Sequence, residues 1–150
     1  MLAAAAHVRA YALAHAQGLP PADCEALRVR AASAVEALEH APKGARAALE
    51  KQMNDVASGT VRADLAANEA ALRLLCVRAE LITEMPTPPE DVELRREYQM
   101  QRLVASMGRG ERATPADLDD LSLEWLAVGP VETAVHEALA ARFGRCRGGV

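Results

Sequence analysis

Residues 65–82 read LAANEAALRLLCVRAELI, and this stretch decides the fold class. Six of its side chains recur at alternating intervals of three and four residues: Leu65, Asn68, Leu72, Leu75, Ala79 and Ile82. Residues at this spacing lie on one side of an α-helix, which is the pattern of two helices packed along a seam. We therefore predict a helix from near Val61 to Glu84 that packs against another helix through these positions.

Asn68 is the one polar residue of this predicted seam. A buried asparagine on a helix seam can fix the register or the number of packed helices. Exposure near the end of the helix is the alternative and the more frequent outcome. The sequence alone leaves both open.

The composition of the 150 residues agrees with an all-α protein of one domain. Alanine and leucine, which lose little side-chain entropy in a helix, dominate, whereas isoleucine occurs once. Ligand pockets are usually lined by aromatic and large apolar groups, and aromatic residues make up only 3% of this chain, so no cofactor is expected. The net charge of −4 gives no overall attraction to nucleic acid or to an anionic membrane.

Glycine, proline and capping residues divide the chain into about seven helices, which we expect to pack antiparallel as a compact bundle or an irregular array. The predicted helices cover roughly residues 2–17, 20–40, 43–57, 61–84 and 88–108, then a segment after 114, and residues 130–143. Residues 145–150 are expected to form a frayed tail.

The start of the fifth helix has a clear sequence signature. Thr87 and Glu90, on either side of Pro88, have the spacing of a capping box with proline in the first turn. Thr114 is predicted to cap the sixth helix in the same way, with Asp117 at its third position. The apolar residues of the fifth helix are predicted to face inward as one stripe: Leu94, Leu103, Val104 and Met107.

Motifs for catalysis or metal binding are missing from the sequence. None of the four histidines has the Glu-x-x-His spacing of di-iron bundles. Glu132 and His136 are one helical turn apart, and a surface ion pair is the favoured interpretation. The cysteines form no CxxC pair, and Cys76 is expected to be a small core residue. We predict that the chain is not an enzyme; a metal-binding helical-bundle enzyme is an alternative.

Polar residues of the fifth helix form a candidate interaction surface: Arg95, Arg96, Tyr98, Gln99 and Arg102. We expect the arginines and Gln99 to be unnecessary for packing and therefore available to a partner, with Tyr98 available for stacking. Arginines beside one aromatic ring also fit RNA or single-stranded DNA, through phosphate contacts and stacking. Interleaved acidic residues, including Glu93 and Glu97, partly neutralise this segment. Nucleic-acid binding is therefore the alternative, and protein binding is the first choice.

Four short blocks, in the order LCVRAEL, PTPPED, LRREYQMQRL and WLAVGPV, resemble the C-terminal region of large bacterial helical proteins. These proteins belong to the domain-of-unknown-function family numbered three-four-nine, and the resemblance covers residues 72–143. It implies a soluble, helical, intracellular protein without an established activity, and it implies that the chain is the C-terminal part of a longer protein. The Trp-, Phe- and Arg-rich signature of the family's repeats is absent here, so what those repeats bind does not carry over.

The expected function is that of a non-enzymatic interaction or scaffold module in the bacterial cytoplasm. Its expected partners are helices of the parent protein or of another protein, with homo-oligomerisation as a further alternative and no membrane contact. A module separated from its partner exposes the apolar surface that the partner covers. This function therefore predicts an exposed apolar strip on the isolated domain.

Overall fold

Seven α-helices build the fold within residues 1–61, 64–109 and 117–148, the parts of the chain that the computed structural model describes. The predicted all-α architecture is confirmed. A 3₁₀ turn at Pro89–Asp91 leads directly into the fifth helix. The helices are α1 (Leu2–Ala16), α2 (Pro21–Glu36), α3 (Ala45–Ala57), α4 (Leu65–Thr83), α5 (Val92–Arg109), α6 (Leu118–Ala127) and α7 (Thr133–Cys146).

The core lies where α1, α3, α4, α6 and α7 meet. α1 packs on α2, α3 and α7, and α4 packs on α6 and α7. The Trp125 and Phe143 rings stack at the centre with their centroids 4.5 Å apart, and neither ring is exposed. Cys76 is also buried, as predicted, and its Sγ lies 3.5 Å from the carbonyl oxygen of Leu139. α5 packs on α4 at the edge of this core.

The seam predicted on α4 is buried over most of its length. Leu72, Leu75 and Ala79 are at most 4% exposed. Leu65 is half-buried, and Ile82 is 41% exposed. Ile82 lies in the last turn of α4, which ends at Thr83, and the buried part of the seam stops before it.

Asn68 is buried, so exposure near the helix end, the more frequent outcome for such a residue, does not occur. It is 9% exposed, and its Nδ2 donates a hydrogen bond to the carbonyl oxygen of Pro130 at 2.8 Å. Pro130 lies in the turn between α6 and α7. The asparagine therefore attaches this turn to α4.

Several helix boundaries differ from those predicted. α2 ends at Glu36 rather than near His40, which adopts a left-handed conformation with φ 53°. α3 begins only after Gly44, whose φ of 92° is also left-handed. α4 begins after Asp64, whose side chain accepts a hydrogen bond from the amide of Ala67 at 3.0 Å. Local hydrogen bonds and glycine conformation thus set these ends.

The ends of α6 and α7 also differ from the predicted ones. Asp117 is the N-cap of α6, not its third residue, because it exchanges hydrogen bonds with Asp120 in a capping box. Thr114, the predicted cap, lies outside the described residues. α7 begins at Thr133 and continues through Gly144 to Cys146, which is 6% exposed. Residues 145 and 146 of the predicted frayed tail are therefore helical.

Candidate interaction surface

Buried charges attach the start of α5 to the rest of the fold. Asp91, at the end of the 3₁₀ turn, is 3% exposed and accepts hydrogen bonds from Arg142 of α7 and Arg73 of α4. Arg142 also donates twice to Glu80 of α4, with Nε–Oε2 at 2.7 Å and Nη2–Oε1 at 2.8 Å. Two guanidinium groups thus neutralise two carboxylates where α4, α7 and the start of α5 meet.

Hydrogen bonds within this cluster keep Asp91 and Arg142 in their charged forms despite their burial. Burial alone raises the pKa of Asp91, but hydrogen bonds from Arg142 and Arg73 hold that pKa below its ordinary value. Burial alone lowers the pKa of Arg142, but its bonds to Glu80 and Asp91 raise it above its ordinary value. Asp91 and Arg142 therefore stay ionised at neutral pH.

Thr87 and Arg95 hold the segment before α5. Thr87 Oγ1 donates to Glu80 Oε1 at 3.0 Å and accepts a hydrogen bond from Arg95 Nη1 at 2.9 Å. Arg95 Nη1 also donates to the carbonyl oxygen of Met85 at 3.0 Å. The N-cap residue of the 3₁₀ turn is Pro88, and among the described residues this N-cap makes no side-chain capping hydrogen bond. The predicted capping box at Thr87 is wrong, because its hydroxyl connects α4 to α5.

The predicted contact residues of α5 therefore differ in role. Arg95 helps to hold α5, contrary to its prediction as a side chain that packing does not need. Arg96 is exposed and pairs with Glu93 at 2.8 Å, and their side chains are 68% and 75% exposed. Such exposed pairs contribute little to stability. Gln99 and Arg102 are exposed.

Tyr98 is half-buried between α4 and α5. The guanidinium carbons of Arg78 and Arg102 lie over its ring, 6.0 and 5.8 Å from the centroid. These distances are within the usual range for cation–π contacts. Arg78 also pairs with Glu124 of α6. The ring thus carries two guanidinium neighbours, and a stacking base would compete with them.

The apolar residues at the end of α5 face away from the fold. Leu94 is half-buried, whereas Leu103 follows it by nine residues, about two and a half turns of an α-helix. The two side chains therefore lie on opposite sides of the helix. Leu103, Val104 and Met107 are 54%, 65% and 78% exposed, so the predicted inward stripe is wrong for all three.

These three residues and Met100 make up the exposed apolar set that we call the α5 strip: Met100, Leu103, Val104 and Met107. Their spacing of i, i+3, i+4 and i+7 places them on one side of the helix. Met100 is 56% exposed. Single exposed apolar residues are common on proteins, but contiguous ones mark interaction sites. The sequence predicted an exposed apolar strip without placing it, and it predicted that three of these four residues face inward.

Sequence reasoning missed a second buried polar cluster, around Arg9 of α1. Arg9 is 2% exposed and donates hydrogen bonds to the carbonyl oxygens of Val128, at 3.1 Å, and Trp125. Its Nη1 lies 3.0 Å from Nε2 of His136 on α7. Its guanidinium also lies 5.4 Å from the Trp125 ring centroid. One signal for this burial was available: Arg9 shares a helix side with Ala5 and Ala12, both buried.

No carboxylate among the described residues pairs with the Arg9 guanidinium, which instead contacts two backbone carbonyls and the His136 ring. The two carbonyls lie at the C-terminal end of α6, where the helix carries partial negative charge. Burial lowers the pKa of Arg9 to about 9, and burial together with the nearby Arg9 charge lowers the pKa of His136 to about 4. At neutral pH, a neutral His136 therefore accepts a hydrogen bond from a charged Arg9.

The predicted surface ion pair between Glu132 and His136 is therefore wrong. His136 is 5% exposed and contacts Arg9 from the side of α7 that faces the core. Glu132 is exposed at the N-terminus of α7. The His136 ring is buried next to the Arg9 guanidinium and is therefore not a surface partner for Glu132.

Within residues 1–61, 64–109 and 117–148, no three His, Cys, Asp or Glu side chains are grouped closely enough to hold a metal ion. None of the helices in these ranges is long and apolar enough to cross a membrane. No protein-family model matches the chain, and no curated protein or solved structure matches it either.

Proposed function

We propose that this chain is a non-enzymatic helical interaction module that binds a partner protein through the α5 strip. The carrying observation is the exposure, by 54–78%, of four apolar side chains on one side of α5. Buried ion pairs anchor the other end of this helix. The proposed location is the bacterial cytoplasm, and the family resemblance of residues 72–143 remains an interpretation of the sequence.

The spacing of the strip indicates the kind of partner surface. An amphipathic helix with apolar residues at i, i+3, i+4 and i+7 commonly binds in an apolar groove between helices of its partner. We therefore assign the helix to α5 and the groove to the partner. The neighbouring Glu93 and Arg96 carry opposite charges, so the rim of the strip favours neither a polyanion nor a polycation.

Nucleic-acid binding through the arginine side of α5 receives less support from the geometry. Arg95 is used in holding α5, and Arg78 and Arg102 lie over the Tyr98 ring. An RNA or single-stranded DNA would have to displace these contacts. The capture experiment described next distinguishes protein binding from nucleic-acid binding.

The test is capture from a bacterial lysate with and without nuclease treatment, with three baits compared. The baits are the wild-type chain, the double variant Leu103→Gln/Met107→Gln and the control Val29→Gln. Val29 is 50% exposed on α2, so its variant removes an exposed apolar side chain elsewhere. We expect a protein that the wild type and the control retain, and that the strip variant binds at least about tenfold more weakly.

Two results would contradict the proposal. One is equal retention of the captured protein by the strip variant, which would place the contact elsewhere. The other is loss of every captured protein after nuclease treatment. In that case, weaker capture by Arg96→Ala/Arg102→Ala would support nucleic-acid binding instead.

A further inference from the structure

We propose that the contact between Arg9 and His136 is an acid-sensitive latch that holds α1 on the rest of the bundle. The two residues are 127 positions apart in sequence, on α1 and α7, and both side chains are almost fully buried. Arg9 has three acceptors, of which two are backbone carbonyls and one is the imidazole. Only the imidazole changes its charge in mildly acidic solution.

Protonation of His136 would reverse the sign of this contact. A neutral ring offers Nε2 as an acceptor to Arg9, whereas a protonated ring has only N–H donors. Two cations would then face each other at 3.0 Å in a buried site. The Trp125 ring, at 6.3 Å between centroids, is uncharged and cannot neutralise them.

Within the described residues, the polar side chains that α3 and α4 contribute near the Arg9 cluster carry no negative charge. α3 presents the uncharged Gln52, which donates to the same Val128 carbonyl as Arg9. α4 presents Asn68, and Cys76, whose pKa burial raises to about 12, so its thiol is neutral. On α7 itself, Glu132 and Glu137 are exposed. Burial is the larger cause of the lowered His136 pKa, and the Arg9 charge lowers it further.

The direction of the pH effect follows from the two pKa values. In the folded protein, burial and then the Arg9 charge lower the pKa of His136 from its ordinary value of 6.5 to about 4. The proposal gives His136 its ordinary pKa once α1 is released, because release removes the Arg9 charge and exposes the ring. Between these values the released state binds more protons than the docked state, so acid favours release. The contribution of the latch is complete above pH 6.5 and is lost as the pH falls towards 4.

The first experiment is native-state hydrogen exchange of individual amides at pH 7 and pH 5, corrected for intrinsic exchange rates. We expect the protection of Val8 and Ala12 in α1 to fall by up to about 30-fold at pH 5, the factor set by the ordinary histidine pKa. Leu72 and Leu75 in α4 should lose much less. An equal loss in α1 and α4 would show global acid unfolding and overturn the proposal.

Two glutamine variants separate His136 from other titrating groups. His136→Gln keeps an acceptor for Arg9 but cannot be protonated, so its α1 protection should change less than threefold. His15→Gln is the matched control, because His15 is an exposed histidine of α1. It should behave as the wild type. A fall of wild-type size in His136→Gln would sink the proposal.

A titration of the wild-type protein provides a test that needs no variant. The His136 ring is followed by NMR from pH 7.5 to pH 4 while the indole of Trp125, the only tryptophan of the chain, is recorded in parallel. The proposal expects both signals to change with one midpoint, between pH 4 and 6.5. Release of α1 while His136 remains neutral would overturn it.

Discussion

α4 and α5 are neighbouring amphipathic helices, but α4 buries its apolar side and α5 exposes much of its own. Leu72 of α4 is fully buried, whereas Leu103 of α5 is 54% exposed. α4 packs on both α6 and α7, while α5 packs on α4 and is anchored at its start by ion pairs. Periodicity therefore shows which residues share a side of a helix. It does not show whether the molecule covers that side.

The largest effect should come from removing the charge that anchors α5. Arg142→Met leaves Glu80 and Asp91 buried beside one remaining guanidinium. We expect a loss of about 3–5 kcal/mol in the free energy of unfolding, the usual cost of breaking a buried ion pair. Urea unfolding at pH 7 measures it, and the double variant Arg142→Met/Glu80→Met should recover part of the loss. A loss below about 1 kcal/mol would mean that the cluster does not hold α5.

The next effect concerns the covered side of α4. Leu72→Ala should lower the free energy of unfolding by about 2–5 kcal/mol, because it opens a cavity in a packed core. Ile82→Ala is the control on the same helix, since Ile82 is 41% exposed. It should cost less than about 1 kcal/mol. Similar losses for the two variants would contradict the extent of the buried seam.

Adjacent arginines of α5 offer a finer test. Arg95→Met removes hydrogen bonds to Met85 and Thr87 and should cost about 1–2 kcal/mol. Arg96→Met removes only a solvated pair with Glu93 and should change stability by less than about 0.5 kcal/mol. Thermal unfolding of both variants under one buffer condition makes the comparison. Equal changes would show that Arg95 does not hold α5 in solution.

The smallest effect on stability should come from the α5 strip. Leu103→Gln/Met107→Gln should alter the free energy of unfolding by less than about 0.5 kcal/mol, as expected for exposed positions. Circular dichroism during urea unfolding measures this, and glutamine preserves helix propensity. A loss of several kcal/mol would show that the strip is already covered in the isolated protein.

Much of the fold was predictable from local patterns. The spacing of Leu72, Leu75 and Ala79 identified a packed helix, and the abundance of alanine and leucine predicted an all-α fold. Spacing reports one helix at a time, so the stripe assigned to α5 was placed on the wrong side. Which side of α5 faces the core depends on how its start is anchored, and the Arg142–Asp91 ion pair in that anchor joins residues 51 positions apart.

The candidate site was predictable only in part, for the same reason. The sequence indicated α5 as the contact helix, but it assigned the contact to polar side chains, predicted the apolar stripe to be buried, and treated Arg95 as available for contact. The hydrogen bonds of Arg95 depend on how the Met85–Thr87 segment folds back on it. The Arg9–His136 contact joins residues 127 positions apart, and no local pattern pairs them.

The most direct test of the account is site-specific photo-crosslinking in living bacteria. A photoreactive amino acid is placed at Leu103 on the strip and, in a separate variant, at Val29 on α2. We expect a discrete crosslinked protein from position 103, which persists after nuclease treatment, and none from position 29. No product at position 103, or the same product at both positions, would contradict the assignment of the α5 strip as the partner-binding surface.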